Sequence, residues 1–166
     1  MSKVVRRHFI HLVWSTRGRS AVIDAVRAEF VHETIAAQCS RLDCGVIAVS
    51  TSVDHAHLLC RVSPKVPVME LVRATKSASS VLFNRAFGAD VLRWQEGYGE
   101  FSVSPWDVAA IAEYVKTQRS RHESGEVDQW LEDVPRGDKP ADQPLANTIA
   151  TQTSAPVMLR QRRSQR

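Results

Sequence analysis

Two histidines one residue apart, in the string Asp54-His55-Ala56-His57-Leu58-Leu59, are the sharpest chemical feature of the chain. On a strand alternate side chains share a face, so His55 and His57 point one way while Ala56 and Leu58 point the other, toward a core. Two imidazoles about 7 Å apart along a strand face can close on one metal ion if a third ligand comes from elsewhere. Taken alone, the pattern is unspecific, and exposed strand histidines without a role are the better account of it.

A second feature lies on the last predicted helix. Tyr114 and Gln118 are four residues apart, hence one turn apart on one helix face, offset from the apolar positions Val108, Ile111 and Val115. Tyr98 and Tyr114 are the only tyrosines, so any phenol chemistry has few candidates. A half-buried aromatic and a solvated glutamine would explain the same pair. Further back, Gly97-Tyr98-Gly99 inside the stretch from Trp94 to Ser104 suggests a loop that bends tightly or is approached closely by something else.

The elements that must carry these groups alternate in type. Strands are predicted over residues 9–15, 45–52 and 56–62, with a turn near Val53-Asp54 joining the last two. A helix over residues 24–42 starts at Asp24 as N-cap and has Val26, Phe30, Ile35 and Ala37 among its apolar positions. A second helix begins at Pro67 and follows Val68, Leu71, Val72, Thr75, Ala78, Ser79 and Leu82. Residues 91–95 and 100–103 read as short extended pieces. The last helix is predicted from Ser104 as N-cap and Pro105 as first helical residue to about His122. The order β-α-β-β-α-β-β-α is met most simply by an α+β, ferredoxin-like antiparallel sheet with helices packed on one face. Such a fold hosts many functions and selects none.

Composition bounds the rest. The 166 residues suit one domain with a real core, assigned here to residues 1–134. Residues 135–166 contain Pro135, Pro140, Pro144 and Pro156, no aromatic residue, and a basic end at Arg160, Arg162, Arg163 and Arg166; they read as a disordered basic tail. No apolar run is long enough to cross a bilayer, so no membrane is expected. Three cysteines without a CxxC pair exclude a disulfide scaffold and a four-cysteine zinc site, and suit a reducing cytoplasm. The net charge of +4 is uneven: residues 1–93 hold thirteen basic and seven acidic groups, residues 94–134 three and nine. That distribution is compatible with a polyanionic partner, and equally with ordinary solvated surface charge.

Several strings, in order and naturally spaced over about residues 8–122, resemble the single-tyrosine HUH transposases, the small insertion-sequence and REP-associated tyrosine transposases. They are His11-Leu12-Val13-Trp14-Ser15-Thr16-Arg17-Gly18-Arg19, Val53 to Leu59, Glu70 to Ser77, Trp94 to Ser104, and Glu113-Tyr114-Val115-Lys116-Thr117-Gln118. The resemblance implies that His55, His57 and Gln118 hold a divalent cation, Mg2+ or Mn2+, and that Tyr114 attacks a DNA phosphodiester to leave a 5′-phosphotyrosine link and a free 3′-OH. It implies a homodimer acting on single-stranded DNA with a hairpin, in the cytoplasm and near the nucleoid. Arg17, Arg19, Arg73 and Lys76 are the candidate DNA contacts, with Trp14 either a stacking residue or core. A domesticated or inactive hairpin-binding protein is the alternative. The chain departs from the family at Arg121-His122, where a histidine pair is often found, and in the short acidic stretch from Glu123 to Val134.

Overall fold

The structure, a computed structural model, describes residue 5 and residues 7–135. The basic tail expected beyond Pro135 lies outside the described residues. Four strands, β1 (Phe9–Ser15), β2 (Gly45–Thr51), β3 (His55–Arg61) and β4 (Gly99–Val103), form one antiparallel sheet in the order β2-β3-β1-β4. The helices are α1 (Ala25–Arg41), α2 (Val68–Phe87), α3 (Val108–Lys116) and α4 (Gln118–Ser124). This is the α+β, ferredoxin-like order expected from the sequence.

Alternation along β1 and β3 divides the sheet into two faces. Ile10, Leu12 and Trp14 of β1 and Ala56, Leu58 and Cys60 of β3 join Val31, Ile35, Leu71, Val72 and Phe83 of α1 and α2 in the main core. The Asp24 carboxylate caps α1 by accepting from Arg27 N–H at 2.9 Å, as the sequence implied. The buried stripe of α1 runs through Ala28, Val31, Thr34, Ile35 and Cys39, whereas Val26 is exposed. Trp14 is fully buried, edge-on to Trp94 at 6.0 Å, and belongs to the core rather than to a stacking surface.

The other face is covered too, which corrects the expectation that the helices pack on one face. Ala48 and Leu59 of the sheet pack against Ala112, Tyr114 and Val115 of α3. The physical reason lies in the central strands: β1 and β3 are almost continuously buried, so both of their faces need cover. Burial of Leu59 and Val115 contributes about 1.5–3 kcal/mol each, and this holds α3 against β3.

Two further differences bear on the site. The last helix is broken: Ser104 Oγ accepts from Trp106 N–H in a turn, α3 starts only at Val108, and Thr117 separates α3 from α4. The extended piece at residues 91–95 forms a single bridge between Thr16 and Trp94 rather than a strand of the sheet.

Candidate active site

The histidine pair stands on the face of β3 that α3 covers, in register with β1: Val13 lies opposite His57 and Ser15 opposite His55. Both rings are buried, His55 at 1% and His57 at 0% exposure, so they are not idle surface groups. Tyr114 near the end of α3 lies with its ring 6.4 Å from that of His57. Gln118, the first residue of α4, is fully buried beside them. The break at Thr117 does not part the two side chains. The Tyr114 hydroxyl donates to Glu132 Oε1 at 2.7 Å, and Gln118 Nε2 donates to the same oxygen. All four predicted site residues therefore meet within one chain.

Four groups outside the predicted set of site residues complete the cluster. Asp54 Oδ1 is 2.5 Å from His55 Nδ1, and His11 Nε2 is 2.9 Å from His57 Nδ1. Glu132 brings Oε2 to 3.2 Å from His55 Nε2 and Oε1 to 3.3 Å from His57 Nε2. His122 Nε2 stands 3.5 Å from Glu132 Oε2. Asp54 had a local signal, being next to His55. His11 had only its place on a buried strand, and Glu132 none in an acidic stretch.

The electrostatics follow from burial and these partners. Burial, reinforced by His57, pushes His11 down to about 3, so it is neutral near pH 7. Burial likewise holds His57 below the ordinary histidine value. For His55, burial opposes the charged form, but Asp54 and Glu132 outweigh it and the value is raised. Desolvation works against the Glu132 carboxylate, yet contacts to His55 and His57 hold it below the usual carboxylate range. Burial and the hydrogen bond to Glu132 push Tyr114 up to about 12, leaving the phenol protonated at neutral pH.

The donor set fits a divalent cation. His55 Nε2, His57 Nε2 and Gln118 Oε1 are buried with no hydrogen-bond partner, and each is an atom that can ligate. With Nδ1 of His55 engaged by Asp54, its Nε2 is left to present a lone pair, an arrangement usual for metal-binding imidazoles. Among the described residues, His55, His122 and Glu132 form a group whose ligand atoms lie within 4.8 Å of one another.

The predicted DNA contacts divide into two pairs. Arg17 and Arg19, on a 3-10 turn after β1, line a cleft of about 1120 Å³ with Ser15, Trp94, Trp130 and Glu132, next to the cluster. Arg19 is held 3.6 Å from Asp54. Arg73 and Lys76 stand on α2 and line a separate groove. Arg73 pairs with Glu70 at 2.8 Å. Lys76 Nζ donates to the carbonyls of Gln95, Glu96 and Gly97, tying down the glycine loop. That loop is approached closely, as one of the two sequence readings had it. A side chain at Gly99 would collide with the Asp133 carbonyl, and one at Gly97 would crowd Pro135.

A ferredoxin-like sheet bearing a buried histidine pair, faced by a tyrosine and a glutamine from the following helices, is the arrangement implied for a tyrosine transposase. The chain belongs to the family of IS200-like transposases, whose sequence pattern matches residues 4–118. It is 24% identical over 119 residues to the ISDra2 transposase TnpA of Deinococcus radiodurans, covering 67% of this chain and 84% of that one. A solved structure described as a transposase of Deinococcus radiodurans shares the fold at a TM-score of 0.57 and 24% identity, over 72% of this chain and 98% of that one. A REP-associated tyrosine transposase bound to a REP hairpin shares it at 0.54 and 16% identity, over 76% of each. Among the described residues no helix is long and apolar enough to cross a membrane.

Proposed function

We propose that this transposase cleaves and rejoins single-stranded DNA beside a hairpin, with Tyr114 as nucleophile and a divalent cation, Mg2+ or Mn2+, held by His55, His57 and Gln118. The observation that carries the reading is convergence: the Tyr114 hydroxyl, the Gln118 amide and both unpaired imidazole nitrogens come together around one point. The cation would neutralise charge on the scissile phosphate and orient an in-line displacement. Tyr114 Oη forms a bond to phosphorus as the bond to the 3′-oxygen breaks, and the phenolic proton is balanced by protonation of the departing 3′-oxygen. The products are a 5′-phosphotyrosine and a 3′-OH, and the retained ester lets a later 3′-OH reverse the step without ATP.

A buried phenol near 12 does not ionise unaided, so it must lose its proton as the new bond forms. The Arg121 guanidinium, 5.1 Å from the centre of the Tyr114 ring, favours the developing phenolate. Arg17, Arg19 and the exposed Trp130 give the adjoining cleft the cations and stacking surface that suit a single strand. The REP-hairpin complex of the structural neighbour supports a hairpin as the folded part of the substrate. One chain supplies every group of the cleavage site, so the homodimer implied by the resemblance would serve the joining of two ends rather than complete the site.

The test is to incubate a labelled single-stranded hairpin oligonucleotide with the protein and Mg2+ or Mn2+. A covalent DNA–protein adduct is expected with the native chain and with Tyr98→Phe, and none with Tyr114→Phe. An adduct that survives Tyr114→Phe would move the nucleophile elsewhere. Tight hairpin binding with no adduct under any metal would favour the inactive DNA-binding protein.

A further inference from the structure

We propose that Glu132 is itself a ligand of the divalent cation, a carboxylate added to the His55, His57 and Gln118 set by the segment that follows α4. This rests on the metal site proposed above, but the residue lies outside the stretch matched by the family, which ends at Gln118.

Three observations carry it. The first is an incomplete set of hydrogen bonds. Glu132 Oε2 lies 3.2 Å from His55 Nε2 and Oε1 3.3 Å from His57 Nε2, yet neither nitrogen makes a hydrogen bond. Asp54 and His11 engage the two Nδ1 atoms, which leaves both Nε2 atoms turned toward the carboxylate. With the proton of each ring on Nδ1, the Nε2 lone pairs and the carboxylate oxygens repel unless a cation lies between them. Donors adjacent on an octahedral ion with bonds of about 2.1 Å stand about 3.0 Å apart, close to these separations.

Charge is the second. Two neutral imidazoles and an amide bring no negative charge to a hard divalent ion, which prefers anionic oxygen. Glu132 supplies it, with one carboxylate oxygen toward each imidazole. His122 Nε2, 3.5 Å from Oε2, belongs to the same group of donors.

The third is that the segment is seated, not draped. Gly99 leaves room for the Asp133 carbonyl and Gly97 for Pro135, the Gln95 amide donates to the Pro135 carbonyl, and Asp128 N–H donates to the Tyr114 hydroxyl at 3.1 Å. Glu132 is thereby delivered to a defined point, where it also accepts from Tyr114 and Gln118. Metal binding and docking of residues 126–135 become one event.

The test uses the full chain without DNA, titrated with Mn2+ by calorimetry and by electron paramagnetic resonance. Glu132→Gln keeps the size and most hydrogen bonds of the side chain, and its circular dichroism and melting should report an intact fold. It should weaken Mn2+ by about tenfold or more, while His57→Ala should abolish binding. Mn2+ should protect residues 126–135 from limited proteolysis in the native chain and not in Glu132→Gln. Unchanged or tighter Mn2+ binding by Glu132→Gln, with His57→Ala still defective, would overturn the assignment alone and make the carboxylate a stand-in for a DNA phosphate. Failure of the native chain to bind Mn2+ would overturn both this assignment and the metal site beneath it.

Discussion

The imidazoles of His11 and His57 lie nearly parallel, 5° apart in plane, with Nε2 of the first 2.9 Å from Nδ1 of the second. One ring on β1 thus orients the ring on β3 that is proposed to hold the cation, as outer partners of metal-bound histidines commonly do. Replacing the outer ring by His11→Phe preserves an aromatic between His57 and Phe101 but removes the hydrogen bond. Mn2+ affinity should fall about tenfold or more with the circular dichroism spectrum unchanged. Affinity equal to the native chain would show that His57 is oriented by packing alone.

Stability should depend on pH in both directions from neutrality. His11 is held down to about 3, so between that value and the unfolded value near 6.5 the unfolded chain binds a proton the native chain refuses. Native stability therefore declines as the pH falls below about 6.5, and lowered His57 acts the same way. Glu132, also lowered, adds a loss below about 4.5. His55 is raised, so its contribution is complete below about 6.5 and is lost as the pH climbs through its native value. Melting followed without metal from acid to mild alkali should show a maximum near neutrality and a steeper acid limb. A flat acid limb would refute the buried neutral state of His11.

Arg19 adopts a left-handed backbone, φ 56°, directly after Gly18 at φ 64°, which turns the pair of arginines over the cleft beside Asp54. Arg17→Ala and Arg19→Ala should each weaken single-strand binding and flatten its logarithmic salt slope by ~0.7 for each phosphate left without its cation. Arg73→Ala, removing a guanidinium already paired with Glu70, should change neither. Fluorescence anisotropy over a series of salt concentrations reads all three.

Lys76 is half-buried and spends its ammonium on three carbonyl oxygens of the glycine loop, at 2.5, 3.0 and 3.3 Å. Burial lowers its pKa, and Glu96 only partly offsets this. Lys76→Met retains the stem but leaves those carbonyls without their charged donor, which should cost about 2 kcal/mol in chemical denaturation. A change near zero would mean that water replaces the ammonium, and would leave Lys76 free to contact DNA.

Periodicity made much of the framework legible. A strand repeats every two residues and a helix nearly every four, so the common face of His55 and His57 and the one-turn relation of Tyr114 and Gln118 could be read from spacing. Their order along the chain, with the resemblance it carried, joined them into one site. Boundaries were less legible: the helix after β4 starts later than Ser104 and breaks at Thr117, where the threonine hydroxyl returns to the Glu113 carbonyl at 2.8 Å. The cover of the second sheet face by α3 was hinted at only by the unbroken apolar character of β1 and β3.

What linear reading could not supply is who meets the histidines. His11 reaches His57 because β1 and β3 are neighbours in the sheet, 46 residues apart in sequence. Glu132 reaches both imidazoles because the chain after α4 folds back over the site and its backbone slips past Gly99. A single carboxylate in an acidic stretch has no period and no local motif to mark it. Its role comes from long-range packing, because hydrogen bonds and metal coordination act over about 2–3 Å and only the assembled fold brings distant residues that close.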